Sequence, residues 1–166
     1  IKNFFKCNIC DIPKKQEFEC DVFVKIMPLL NVIHYLTENY NVNNDLLPNK
    51  FNLTRDEILK IFFDKEYFCY MTGFIAGMPF LGDLDKKIRI NRLDTPRVKV
   101  PEGSVGITEQ FANIYTSESP GGWNIIGNTP KKIFQRLNLQ NPALIKPSDK
   151  VIFYQISKEE YLKFND

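Results

Sequence analysis

Three short segments hold the residue types from which a binding site can be built. In Ser119-Pro120-Gly121-Gly122-Trp123, two glycines precede the single tryptophan of the chain. Paired glycines let backbone approach a ligand closely and admit positive φ, and Pro120 stiffens the loop before them. A second segment, Pro96-Arg97-Val98-Lys99-Val100-Pro101-Glu102-Gly103-Ser104-Val105-Gly106-Ile107, adds a guanidinium and another stiff turn. Successive amides in such turns form a concavity that takes anions, and Arg97 offers a planar fork for a carboxylate or phosphate. The third, Gly73-Phe74-Ile75-Ala76-Gly77-Met78-Pro79-Phe80-Leu81-Gly82, is apolar and punctuated by glycine. A competing reading is architectural: the glycines and prolines turn the corners of a barrel and Trp123 plugs its core. Taken one motif at a time, the architectural reading is the favoured one.

Other reactive types are sparse. Cys7-x-x-Cys10 has the spacing of a zinc or redox pair, but a zinc site needs two more thiolates or imidazoles at sensible spacing, and only Cys20 and the lone His34 stand near it. Pro13 and a lysine pair follow where a redox dithiol would open a helix. Cys7, Cys10, Cys20 and Cys69 are therefore expected to be free thiols in a reducing compartment, and no metal site is expected. His34 reads as a packed or surface residue. Ser104 and Ser119 have no recognisable base, so no catalytic residue is identifiable. The phosphate-loop pattern Gly-x-x-x-x-Gly-Lys-Ser/Thr is absent. The densest basic stretch, Lys86 to Lys99, is diluted by Asp94 and lacks interleaved aromatics, which reads as a solvated loop rather than a nucleic-acid surface.

The elements that must position these segments are legible in outline. All eight glycines fall between Gly73 and Gly127, separating a helix-bearing first part from an extended middle. Residues 1–18 read as a tail or edge element. Asp21–Met27 is β-branched and aromatic, a strand, after which Pro28 suits the first turn of a helix whose stripe is Leu29, Val32, Ile33, Leu36 and Tyr40. Thr54-Arg-Asp-Glu57 is a capping box opening a second helix with Ile58, Ile61 and Phe62 inward, and Ser157-Lys-Glu-Glu160 is another at the C-terminus. Strands are predicted at Tyr67–Met71, Ser104–Thr108, Ala112–Thr116, Asn124–Ile126 and Lys150–Ile156, between Gly/Pro turns, the pattern of a small barrel or sandwich.

With 166 residues the chain is sized for one domain. Fourteen Phe and seven Tyr supply a core without disulfides or metals, and a net charge of +2 argues for no particular partner. No run approaches the ~18 apolar residues of a membrane span. No signal peptide is visible at Ile1-Lys2-Asn3-Phe4-Phe5-Lys6, and the start without Met fits a fragment or a processed product. The expected location is the cytoplasm, or an organelle matrix if an N-terminal segment has been removed.

Taken together, the three segments resemble the 5-oxoprolinase B-subunit family, also described as allophanate hydrolase subunit 1 and sporulation-kinase inhibitors. Its members carry GFxPGFPYLG, PRxxVPxGSVGI and SPGGWxLIGxTP in this order. Here Gly73, Phe74, Gly77, Pro79, Leu81 and Gly82 of the first remain, the second is nearly intact, and the third keeps Ser119 to Trp123, Gly127 and Thr129-Pro130. The resemblance implies a mainly β, cyclophilin-like barrel with two or three flanking helices over residues 19–166. Members usually precede it with a ferredoxin-like domain, for which this sequence has no room and which is expected to be absent. It also implies work with a homologous second subunit to cleave 5-oxoproline at the expense of ATP. On that reading no cofactor is bound covalently and ATP enters through the complex. Phe74, Pro79, Arg97, Ser104, Ser119, Gly121, Gly122 and Trp123 would contact a small anionic substrate.

There are departures from the pattern. Phe62 stands where the family often has His, Phe111 where it has Gln, and Asn128 where Arg is common. Phenylalanine transfers no protons and polarises no carbonyl. The second reading is therefore a non-catalytic binding or scaffold module, resembling the kinase-inhibitor branch, with its cleft filled by Phe62 and Phe111 and its partner another protein.

Overall fold

Alternation along Glu66–Thr72 sets the local rule: Tyr67 and Cys69 turn inward while Phe68 and Tyr70 turn out, as the two-residue period of a strand requires. The computed structural model describes residues 24–31 and 46–164. Its strands are β1 (Val24–Asn31), β2 (Glu66–Thr72), β3 (Pro79–Gly82), β4 (Arg97–Val100), β5 (Ser104–Thr108), β6 (Phe111–Ile114), β7 (Ser119–Gly121), β8 (Asn124–Asn128) and β9 (Lys150–Ile156). The helices are α1 (Leu46–Phe51), α2 (Arg55–Phe63) and α3 (Lys158–Lys163).

Seven strands close a barrel in the order β1-β8-β5-β6-β3-β2-β9. The seam is a parallel pairing of β1 with β9, from Val24↔Lys150 to Leu30↔Ile156. β4 and β7 form a separate two-stranded sheet, with Arg97 opposite Gly121 and Val100 opposite Ser119. The core holds Met27, Leu29, Tyr67, Leu81, Val105, Ile107, Ile114, Val151 and Phe153. Ile58 and Phe62 of α2 join it.

Both capping boxes form. Thr54 Oγ1 accepts from Glu57 N at 3.3 Å and Thr54 N donates to Glu57 Oε2 at 2.7 Å. At α3, Ser157 Oγ accepts from Glu160 N at 3.2 Å and Ser157 N donates to Glu160 Oε2 at 2.8 Å. α3 is tied to the barrel by Tyr161, whose hydroxyl donates to Asn128 Oδ1 at 2.6 Å. Asn128 in turn donates from Nδ2 to Glu102 O at 3.0 Å.

Two expectations are corrected. Pro28 opens no helix but lies within β1, and Leu29 with it. At Pro28, β1 is paired with β9 alone, since its contact with β8 is confined to Leu30 and Asn31. A one-sided strand is where a residue without an N–H is tolerated. Second, Phe62 fills no cleft: it is fully buried in the core, its ring 5.0 Å from those of both Tyr67 and Phe153. The remainder of the expected first helix, His34, the tail at 1–18 and Cys7, Cys10 and Cys20 lie outside the described residues. Among the described residues Cys69 is a buried free thiol, no group of side chains could hold a metal ion, and no helix is long and apolar enough to cross a membrane.

Candidate functional site

The small β4-β7 sheet places Arg97 against the glycine pair. Arg97 is half-buried, and its Nη1 donates to the Trp123 carbonyl at 2.9 Å. Burial pulls its pKa below the usual guanidinium value, with the nearby Tyr115 opposing. A desolvated guanidinium of this kind gains more from an anionic partner than one in open water.

The loop before β4 is stitched onto the same place. Leu93 N donates to Gly122 O at 2.8 Å, and Asn124 Nδ2 donates to Asn91 O at 2.9 Å. These bonds carry Arg92 over Gly122, where Nε and Nη2 lie 3.4 Å from the position a Cβ would take. Gly121 is required more strictly. A Cβ there would lie 2.7 Å from Tyr115 Cζ and closer still to its hydroxyl. The Tyr115 phenol is raised in pKa by burial. Opposing this are a hydrogen bond with Asn113, the Trp123 backbone, and the charges of Arg97 and Arg92. Two guanidiniums, a phenol and the Gly121–Gly122 backbone thus converge.

Trp123 is 9% exposed. Its packing partner is Phe80, with ring centroids 5.6 Å apart at 76°, an edge-to-face pair that adds to simple burial. Phe74, expected to share a substrate with it, is 71% exposed and holds φ +70°, in a turn closed by Gly73 N donating to Met78 O at 3.0 Å. Pro79 is buried on β3 opposite Thr72. Ser104 is fully buried on β5, and its Oγ, like Ser119 Oγ on β7, has no hydrogen-bond partner among the described residues. Neither hydroxyl has an imidazole beside it among these residues. The structure therefore gathers Arg97, Gly121, Gly122 and Trp123, sets Ser119 on the adjoining strand, and leaves Phe74 apart.

Sequence reasoning missed Arg92, Asn113 and Tyr115. Arg92 read as one cation of a solvated stretch, and the others as strand residues. The signal available was Asn113 at an outward position of a strand flanked by inward Ala112 and Ile114. Asn113 Oδ1 accepts from Gly106 N at 3.1 Å, beneath Trp123. Phe111 is half-buried on the outer face, 6.1 Å from Tyr70 and 6.2 Å from Phe80. It borders the site through Phe80 rather than filling it. Lys86, Lys87, Arg89 and Lys99 are exposed, as read from the sequence, and Lys99 pairs with Glu118 at 2.9 Å.

The closed barrel and the glycine-paired loop against it define a cyclophilin-like domain. The chain belongs to the family described as carboxyltransferase domain, subdomain C and D, whose model matches residues 45–145. The B-subunit of 5-oxoprolinase from Bacillus subtilis is 39% identical over 114 residues, covering 69% of this chain and 47% of that protein. The subunit of the same name from Haemophilus influenzae is 42% identical over 105 residues, covering 63% and 49%. The chain thus spans about half the length of these curated relatives. Among solved structures, a conserved uncharacterized protein from Pyrococcus horikoshii superposes with a TM-score of 0.72 at 32% identity, over 83% of this chain and 61% of that one.

Proposed function

We propose that this chain is the barrel domain of a subunit in an ATP-dependent enzyme that opens a cyclic amide, 5-oxoproline being the substrate. It works with a homologous second subunit, and ATP is consumed by the complex. The carrying observation is the convergence of Arg92, Arg97 and the Gly121–Gly122 backbone at Trp123. Two guanidinium forks beside side-chain-free glycine backbone suit a substrate carboxylate, and Trp123 with Phe80 offers an apolar wall for a small ring. Relatives at 39% and 42% identity named as the B-subunit of 5-oxoprolinase support the same reading. No nucleophile is assigned to this chain; its part is to bind and orient the substrate.

The test is reconstitution. Purified chain, with and without partner subunits encoded in the same genome, is given ATP and 5-oxoproline, and glutamate release is followed. Turnover is expected only with partners, and it should fall at least about a hundredfold in Arg97→Ala if a bidentate charged contact is lost. Turnover by the chain alone, or full activity of Arg97→Ala, would overturn the proposal.

A second reading has its own observation. Phe68, Tyr70, Phe111, Phe80 and Trp123 form a continuous aromatic row across the outer face, with successive ring centroids 4.9 to 6.2 Å apart. Phe68 and Tyr70 at its outer end are exposed. Such a row suits a protein-binding module. Stable complex formation with no glutamate release under any combination would favour it.

A further inference from the structure

The segment between β8 and β9 carries a second candidate site that the reading above does not use. Together with the start of β1 it encloses a cleft of about 390 Å3, lined by Lys25, Lys131, Lys132 and Lys146 with Asn138 and Asn141 among its amides. No carboxylate lines it among the described residues. The walls are anchored. Gln135 N donates to Pro142 O and Leu144 N to Ile133 O, each at 2.8 Å, around a bridge between Phe134 and Ala143. Ile133 and Ile145 are buried in the barrel core beneath.

Charge pairing differs from that elsewhere on the surface. Lys150 meets Glu66 at 2.7 Å and Lys99 meets Glu118 at 2.9 Å. Lys131 and Lys132 have no carboxylate partner among the described residues. The Lys146 ammonium donates to the neutral Asn141 Oδ1 at 2.8 Å, while Asp149 directs its carboxylate to Lys146 N at 2.9 Å. Ammonium groups gathered in one cleft repel one another and raise the local potential until an anion joins them.

We propose that this lysine cleft binds a small molecule bearing a diphosphate group. Ammoniums are compact point charges with three donors each, suited to phosphate oxygens presented at several angles, whereas a carboxylate is better matched by the arginine forks at Trp123. The volume falls within the ~300–1,000 Å3 range of small-molecule sites and exceeds what one phosphate fills. A diphosphate supplies multiple charges and acceptor oxygens to answer three or four lysines. The amides of Asn138 and Asn141 can add neutral donors at the rim.

Calorimetric titration of the whole chain at fixed ionic strength, with inorganic pyrophosphate and separately with ADP, tests this. Pyrophosphate should bind saturably. The Lys131→Ala/Lys132→Ala variant should weaken it at least about tenfold, the loss of a charge-assisted hydrogen bond, with its thermal melt unchanged because both lysines are exposed. Arg97→Ala should bind as the unaltered chain does, which separates this cleft from the carboxylate site. Tighter binding of ADP would identify a nucleotide as the source of the diphosphate, and equal binding a diphosphate recognised without its base. The proposal is overturned by no saturable binding of either probe, by loss of binding in Arg97→Ala with the lysine variant unaffected, or by a glutamate-rich peptide binding where pyrophosphate cannot compete.

Discussion

Gly121 and Gly122 are adjacent and identical in type, yet their surroundings make them unequal. A methyl group at Gly121 would collide with the Tyr115 phenol, which is itself fully buried and cannot swing aside. At Gly122 the nearest atoms would be the exposed Arg92 guanidinium at 3.4 Å, an ordinary contact. Gly121→Ala should therefore lower the urea midpoint clearly, by about 1–3 kcal/mol of overpacking, while Gly122→Ala leaves it nearly in place. Equal midpoints for the two variants would contradict the placement of Tyr115. Trp123 is the other residue with a large expected effect. Trp123→Ala removes a buried indole and its contact with Phe80 and should cost about 3–5 kcal/mol. An indole freely quenched by iodide, with stability unchanged on substitution, would show a binding loop rather than a packed one.

Elements raise a different question: what starts and ends each of them. Helix α2 begins where Thr54 and Glu57 exchange hydrogen bonds, and it delivers Ile58, Leu59 and Phe62 to buried positions. Thr54→Ala should destabilise the fold by about 1 kcal/mol, read from denaturant unfolding. Thr54→Ser, which keeps the acceptor oxygen, should restore most of it. If alanine and serine behave alike, the box contributes nothing to α2. Both boxes were legible from four consecutive residues because the interaction is local. The boundaries of β5 and β9 were legible for a related reason, since β-branched and aromatic runs between turn residues set them. Pro28 was misread because its tolerance depends on which side of β1 has a neighbour. That neighbour, β9, lies more than a hundred residues further along the chain.

At the scale of the molecule, burial of acidic protons ties stability to pH. Desolvation first, and the Asp149 charge second, push the Cys69 thiol up to about 11. Burial likewise raises Tyr67, aided by Asp85, and raises Tyr115 against its hydrogen bonds and the two arginines. A thiol and a phenol in the unfolded chain titrate near pH 8.5 and 10. Above those values the unfolded state has lost protons that the folded state still holds, so stability falls as pH rises. Below about pH 8 these groups contribute no slope. Urea midpoints should therefore hold from pH 7 to 8 and decline from about pH 9 upward, with Cys69→Ala flattening the first part of the decline. A midpoint constant to pH 10.5 would refute the burial assigned to these groups.

The amino-acid order alone determined what short-range chemistry controls: two capping boxes, strand segments bounded by turns, glycine-proline loops, and the motifs that place the chain in its family. Tertiary structure decided everything that joins distant segments. It chose Phe80 rather than Phe74 for Trp123, because β3 carries Phe80 onto the outer face that Trp123 covers, whereas Phe74 sits exposed in a left-handed turn. It kept Phe62 out of any cleft, because the inward side of α2, legible in the stripe Ile58, Ile61 and Phe62, packs that ring against Tyr67 and Phe153 in the core. It brought Arg92 to Gly122 through one backbone bond and one from the Asn124 side chain, each spanning about thirty residues of sequence, and it gathered lysines from β1 and the β8–β9 segment into one cleft. Spacing along a chain reports on neighbours within a turn or a pleat. Which strands meet is set by closing the barrel over a shared apolar core, and no local pattern carries that choice.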